Sequence, residues 1–308
     1  MKHTLKITLL LVFIFFITQV IGLAITKEYI NIKEYIDPET KIATREIVSE
    51  ELPFNLERPE IEESTSYIWI LFAVIIGTLL LLAIIKFKKM GLWKLWFFLA
   101  VFFTMAISFS AFIPQTAAAI LAFILALAKT YKPTTIMQNL TEIFIYGGLA
   151  AIFVPVVNIK SIFILLILIS VYDIIAVRHT KHMVTLAKFQ TKSNVFAGLL
   201  IPYGNGKGRI TTKAKKEEGI IKERGGKIAV LGGGDIGFPL IFAGVVMKGM
   251  MLENPGLIGF LKTLIIPVFV SLALFYLLVR SKKDKFYPAM PYLTVGCVVG
   301  YFVVLLLF

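Results

Sequence analysis

Apolar runs of close to 20 residues recur from one end of this sequence to the other, and that repetition restricts the chain to one class of fold. Nine segments are long enough, or nearly so, to cross a bilayer, whose hydrocarbon core takes about 20 helical residues. They are Leu5–Ile25, Tyr67–Ile85, Leu92–Ala111, Gln115–Ala128, Ile136–Val157, Ser161–Val177, Ile228–Met247, Gly256–Val279 and Pro288–Phe308. A soluble fold of 308 residues could not hide such a sequence, which is 58% hydrophobic and only 17% charged. The expected fold is therefore all-α: a polytopic membrane protein with nine transmembrane helices.

The third and fourth segments need separating. A single helix from Leu92 to Ala128 would be about 55 Å long, too long for one crossing. The break belongs at Ile113-Pro114, because proline disfavours helix in the residue before it.

Loop charges test the count. The net charge of +13 would suggest nucleic acid in a soluble protein, but here the positive-inside rule explains it. Residues 27–66 carry eleven acidic and five basic side chains, a net of −6. "KFKKMGLWK", "KTYK" (129–132), "RSKKDK" (280–285) and the 178–227 connection are all basic, the last with a net of +9. Nine spans with a cytoplasmic N-terminus put every basic loop inside and the acidic loop outside. Eight spans would put basic loops on both sides. The expectation is a multi-pass protein of the cell membrane with an extracytoplasmic C-terminus. The first segment reads as a retained helix or a signal peptide, and its apolar length favours the helix. Three regions follow: an N-terminal bundle 1–177 with an acidic loop 26–66, a basic cytoplasmic loop 178–227 expected to be mobile, and a C-terminal bundle 228–308. Within the loop, "VFAGLLIP" reads as a short interfacial segment.

An ionisable group in hydrocarbon is costly, so each one within a span is a functional candidate. Lys94 and Lys262 lie close enough to span ends to snorkel. Glu142 sits near the cytoplasmic end of the fifth span, either at the interface or in a polar contact inside the bundle. Lys248 and Glu253 are expected in an external loop. Two acids remain: Asp173 in "LLILISVYDIIAV" and Asp235 in "IAVLGGGDIGFPL". They lie about 8 and 12 Å from the same cytoplasmic boundary at helical rise. If the sixth and seventh helices are neighbours, the two acids meet. Adjacent carboxyl groups share one proton, and such a pair can deprotonate a water while protonating a carbonyl.

Other chemistries drop out. His3, His179 and His182 all lie outside the spans, so no Ser–His pair is available in the membrane. There is no H-E-x-x-H for zinc, and Cys297 is the only cysteine. No metal and no cofactor is expected. Gly232, Gly234 and Gly237 fit the G-x-G-x-x-G spacing of a nucleotide-binding turn, with Glu253 as a ribose acid. That motif needs a soluble βαβ unit, so neither nucleotide nor nucleic acid is an expected partner. The glycines before Asp235 instead let a second backbone approach. Pro288 and Pro291 in "YPAMPYL" deny backbone donors at the start of the last span.

These residues resemble a family. "VYDIIAV" is similar to the Y-D motif, "GGGD" to the G-x-G-D motif and "PAMP" to the P-A-L motif of presenilins and signal peptide peptidases, with Met290 where leucine is usual. The resemblance implies an intramembrane aspartyl protease with Asp173 and Asp235 as catalytic pair. It implies that Tyr172 supports Asp173 and that Gly232 and Gly234 shape the active-site loop. Pro288, Ala289, Met290 and Pro291 would contact the substrate. The charge pattern gives the presenilin orientation, hence substrate transmembrane helices with their N-terminus outside, with the lipid bilayer as surroundings and a homo-oligomer as an option. A proton- or cation-coupled transporter, or an ion leak channel, would use the same buried aspartates and is the alternative reading.

Overall fold

The computed structural model describes residues 4–36, 43–87, 89–178, 195–203, 222–223, 226–254, 256–281 and 287–308. Most of the expected cytoplasmic connection and all three histidines lie outside this set.

The chain forms helices α1 (Leu5–Lys27), α2 (Ser66–Lys86), α3 (Met90–Ser110), α4 (Gln115–Tyr131), α5 (Thr135–Phe153) and α6 (Ile159–Arg178). After the long connection come α7 (Gly233–Glu253), α8 (Leu257–Thr263), α9 (Ile265–Arg280) and α10 (Met290–Leu307). Helices α8 and α9 form one crossing, broken where Pro267 has no N–H for the Thr263 carbonyl. Eight crossings are long apolar helices, and α4, at 17 residues, is the short ninth. Pro114 caps the N-terminus of α4, so the chain turns where expected.

The main core gathers α1, α5, α6, α7, α9 and α10 around α7. Of the central window of α7, 83% is buried, against 11% for α2, so α7 is the axis of the bundle and α2 stands at its lipid-facing rim. Helices α3 and α4 form a second core, where Ala118, Ala122 and Ala126 line one face of α4 and allow close approach to Trp93, Phe97 and Val101.

Outside the spans, β1 (Ile30–Ile36) and β2 (Ala43–Ser49) pair as an antiparallel hairpin in the acidic loop. A second sheet departs from the sequence reading. The "VFAGLLIP" stretch contributes strand β3 (Gly198–Tyr203), which pairs antiparallel with β5 (Gly226–Gly232), and β5 pairs with the short β4 (Lys222–Glu223). The expected seventh span from Ile228 thus opens with a strand, and its helix begins only at Gly233. Short apolar runs carry no period that separates strand from helix, and a strand partner decides the matter. The helix then continues to Glu253, so Lys248 and Glu253 belong to α7 rather than to a loop. Lys248 is buried and donates to the Pro155 and Val157 carbonyls (3.2 and 2.9 Å) and to Glu63 (3.1 Å), which locks the C-terminal end of α7.

Candidate active site

Helices α6, α7 and α10 pack against one another in pairs, and the two intramembrane aspartates face this junction. Asp173 is 5% exposed and Asp235 is 8% exposed. The two carboxyl groups lie within electrostatic range of each other, so the neighbour relation inferred from their depths holds in three dimensions.

Each carboxylate is held at a helix N-terminus, where backbone N–H groups have no partner in their own helix. Asp235 lies in the first turn of α7 with its carboxyl turned back towards the backbone of Gly232, the residue that caps α7. This is the placement of a capping box, with aspartate as the third helical residue. Asp173 lies near the far end of α6, where its own helix offers no free amide. Its Oδ2 accepts instead from the Met290 amide at 3.1 Å, at the first turn of α10, with the Ala289 backbone close by. Pro288 and Pro291 flank these two residues, so the free donors of the segment fall at Ala289 and Met290. Both of those are buried, as is Pro288, whereas Pro291 is half-buried. A hydroxyl pair, Ser170 Oγ with Thr294 Oγ1 at 2.8 Å, ties α6 to α10 near Asp173.

The other expected residues divide. A Cβ on Gly232 would stand 3.3 Å from Asp235 Oδ2, so a side chain there would press on the carboxyl. At Gly234 the nearest group is a Phe238 ring carbon at 3.7 Å, an ordinary contact. The tight position is Gly233, where a Cβ would meet the Tyr146 hydroxyl at 2.6 Å. Tyr172 directs its hydroxyl to Thr78 Oγ1 on α2 (3.2 Å), which ties α6 to the bundle's rim.

Sequence reasoning missed the support beneath the glycine turn. Gln138 donates to the Phe196 and Gly198 carbonyls at 2.8 and 2.9 Å. Asn139 exchanges two hydrogen bonds with the Leu200 backbone, at 2.8 and 2.9 Å. These α5 side chains act as an extra strand along β3, and β3 in turn holds β5 and the Gly233 amide, which donates to the Ala197 carbonyl (3.2 Å). Glu142 is fully buried in an ion pair with Lys129 at 2.6 Å, so the polar contact inside the bundle is the outcome. Gln138, Glu142 and Tyr146 recur every four residues in an apolar helix, the signal that could have exposed this face.

The arrangement can do acid–base chemistry on a peptide bond: two buried, coupled carboxyl groups, each beside the backbone of a helix N-terminus. Among the described residues no group of His, Cys, Asp and Glu could hold a metal ion.

The fold has known counterparts among solved structures. The structure is similar to a presenilin family intramembrane aspartate protease solved in space group C222, with a TM-score of 0.61 at 20% identity over 98% of this chain and 99% of that one. It is also similar to a presenilin family intramembrane aspartate protease solved in space group P2, with a TM-score of 0.55 at 19% identity and 97% of each chain covered. No curated protein matches the chain in sequence. The family described as signal-peptide peptidase, presenilin aspartyl protease matches residues 43–308, from the second strand of the outer hairpin through both aspartates to the C-terminus. The chain belongs to this family of intramembrane aspartyl proteases.

Proposed function

We propose that Asp173 and Asp235 are the catalytic pair of this protease and that they hydrolyse peptide bonds within transmembrane segments. The carrying observation is that two buried carboxyl groups, on the packed helices α6 and α7, lie within electrostatic range of each other, with a backbone donor from the start of α10 on Asp173. One carboxylate takes a proton from a water as its oxygen attacks the scissile carbonyl carbon. The partner carboxyl gives its proton to the carbonyl oxygen. The tetrahedral diol then collapses: the C–N bond breaks, the leaving nitrogen takes up a proton and a carboxyl group forms. The shared proton belongs to the pair rather than to either residue.

A helical substrate must unwind before attack, because its own hydrogen bonds shield the scissile bond. Strand β5 pairs with β3 from Lys227 to Gly232 and with β4 only at Gly226 and Lys227. The other edge of 228–232 has no strand partner among the described residues, and it runs straight to Asp235. An unwound substrate segment adds to this edge as a strand. Pro288, Ala289 and Met290 then line its path at the start of α10. Bulky replacements at Pro288 or Ala289 impair cleavage more than folding, and undiminished cleavage would count against that path.

The loop charges support a cytoplasmic N-terminus, an extracytoplasmic C-terminus in the cell membrane and substrates whose N-terminus faces outward. The chain acts alone or as a homo-oligomer.

The test uses purified protein and a single-span membrane substrate, with wild type, Asp173→Ala and Asp235→Ala, each with and without an aspartic-protease transition-state analogue. Cleavage by wild type alone, blocked by the analogue, is the expected result. Product from both variants, or none from wild type across several substrates, sinks the reading.

A further inference from the structure

The polar stripe on α5 ends in an unsatisfied group. Gln138, Glu142 and Tyr146 share one face, and the first two have clear hydrogen-bond partners. Glu142 Oε1 accepts from Lys129 Nζ at 2.6 Å and from Gln138 Nε2 at 2.8 Å, and Lys129 also donates to Thr141 Oγ1 at 3.0 Å. Tyr146, one turn deeper, is 5% exposed, and its hydroxyl lies towards Glu142 without a hydrogen bond of normal geometry among the described residues. A buried hydroxyl without such a bond is rare and costly, and phenylalanine would fill the same space without that cost. The hydroxyl is also placed against the reaction centre. It sits 2.6 Å from where a Cβ on Gly233 would stand, two residues before Asp235, and within electrostatic range of both Asp235 and Glu142.

We infer that Tyr146 is a positioning residue for Asp235, a donor held between Glu142 and the first turn of α7. The inference rests on the assignment of Asp235 to the catalytic pair. When Asp235 is ionised, the Tyr146 hydroxyl donates to its carboxylate. When Asp235 holds the proton, the hydroxyl turns to Glu142, whose charge Lys129 balances. Tyr146 keeps its own proton throughout, so only the direction of a hydrogen bond changes. A donor aimed at a charge present in only part of the cycle stabilises that part selectively and acts on turnover rather than on substrate binding.

The test compares wild type, Tyr146→Phe, Gly233→Ala, the double variant and Asp235→Ala. Each is purified as the full chain and assayed in bicelles with a fluorogenic single-span membrane substrate, with thermal melting in parallel. Tyr146→Phe should lower kcat about tenfold or more, the size of one charge-assisted hydrogen bond. KM should stay within about twofold of wild type, and the melting temperature should hold, because phenylalanine keeps the packing of the ring and the hydroxyl makes no hydrogen bond of normal geometry in the resting structure. Gly233→Ala pushes a methyl against that hydroxyl and should slow cleavage alone, yet cost nothing further beside Tyr146→Phe. Wild-type kcat in Tyr146→Phe, a marked fall in its melting temperature, or full additivity in the double variant overturns the inference. With Asp235→Ala inactive, each of these outcomes leaves the protease reading standing. A wild-type protein without aspartate-dependent cleavage removes both.

Discussion

Asp173 and Asp235 reach the same buried junction from different kinds of backbone. Asp173 sits five residues from the end of α6, an uninterrupted 20-residue helix whose amides are already used at that depth. Its donor comes from another element, the Met290 amide at the start of α10. Asp235 sits in the first turn of α7, with its carboxyl turned back towards the Gly232 backbone of its own segment. A helix can start in the protein interior because β5 carries the chain there, and β5 is held by β3 and the Gln138–Asn139 clamp. The contrast shows two ways of solvating a charge away from water: borrow a helix terminus, or be one.

The largest expected effect removes either side of the comparison. Asp173→Ala and Asp235→Ala should each lower cleavage by about a thousandfold or more, the upper range for a group that moves protons in the transition state. Asparagine sharpens the contrast at Asp173. Asp173→Asn keeps an acceptor for the Met290 amide, so it should melt higher than Asp173→Ala while remaining inactive. Equal melting of the two variants would mean that the α10 terminus gains nothing from residue 173.

Next in size is the strand that delivers α7. Gly198 holds φ 139°, and a Cβ there would run into the Leu231 carbonyl oxygen of the paired strand β5. Gly198→Ala should therefore cost about 2 kcal/mol or more from strain alone, measured by thermal unfolding in detergent. Cleavage should fall with it, because the start of α7 moves. The same change at Gly77 on α2, where a Cβ meets nothing within 4 Å, should leave cleavage intact. Equal loss at both sites would break the idea that the strand, rather than general bundle packing, sets the position of Asp235.

A smaller effect is expected at the opposite end of α7. Lys248→Met orphans the Pro155 and Val157 carbonyls and should cost about 1–3 kcal/mol, the range for unsatisfied buried acceptors. Glu63→Gln should cost under about 1 kcal/mol, since the Glu63 side chain is 51% exposed and water screens the pair. Should the two variants prove equally costly, the ion pair rather than the carbonyls would be holding the C-terminal end of the helix.

Much of this was legible in the chain. Nine apolar runs, the proline at position 114 and the segregation of loop charge are local or compositional signals, and a bilayer turns them directly into helices. The two aspartates were legible for the same reason, since a carboxyl in an apolar run is conspicuous wherever it lies. The burial of Lys129 and Lys248 was harder to read. Lys129 reads as part of a basic loop and Lys248 as part of an external one until their partners, Glu142 in one case and two carbonyls with Glu63 in the other, are brought to them from other segments.

The sequence by itself determined the class of fold, the number of crossings and the two acids set within apolar spans, because each follows from the cost of placing polar groups in hydrocarbon. Only the tertiary structure decided how those acids are held. That Ile228–Leu231 is strand, that Gly233 rather than Gly234 is the tight glycine, and that Tyr146 and Met290 stand beside the aspartates all depend on contacts between residues far apart in the chain. Hydrogen bonding in a β-ladder and the close approach of backbones leave no period in a single segment, so they exist only once the partner segment has arrived.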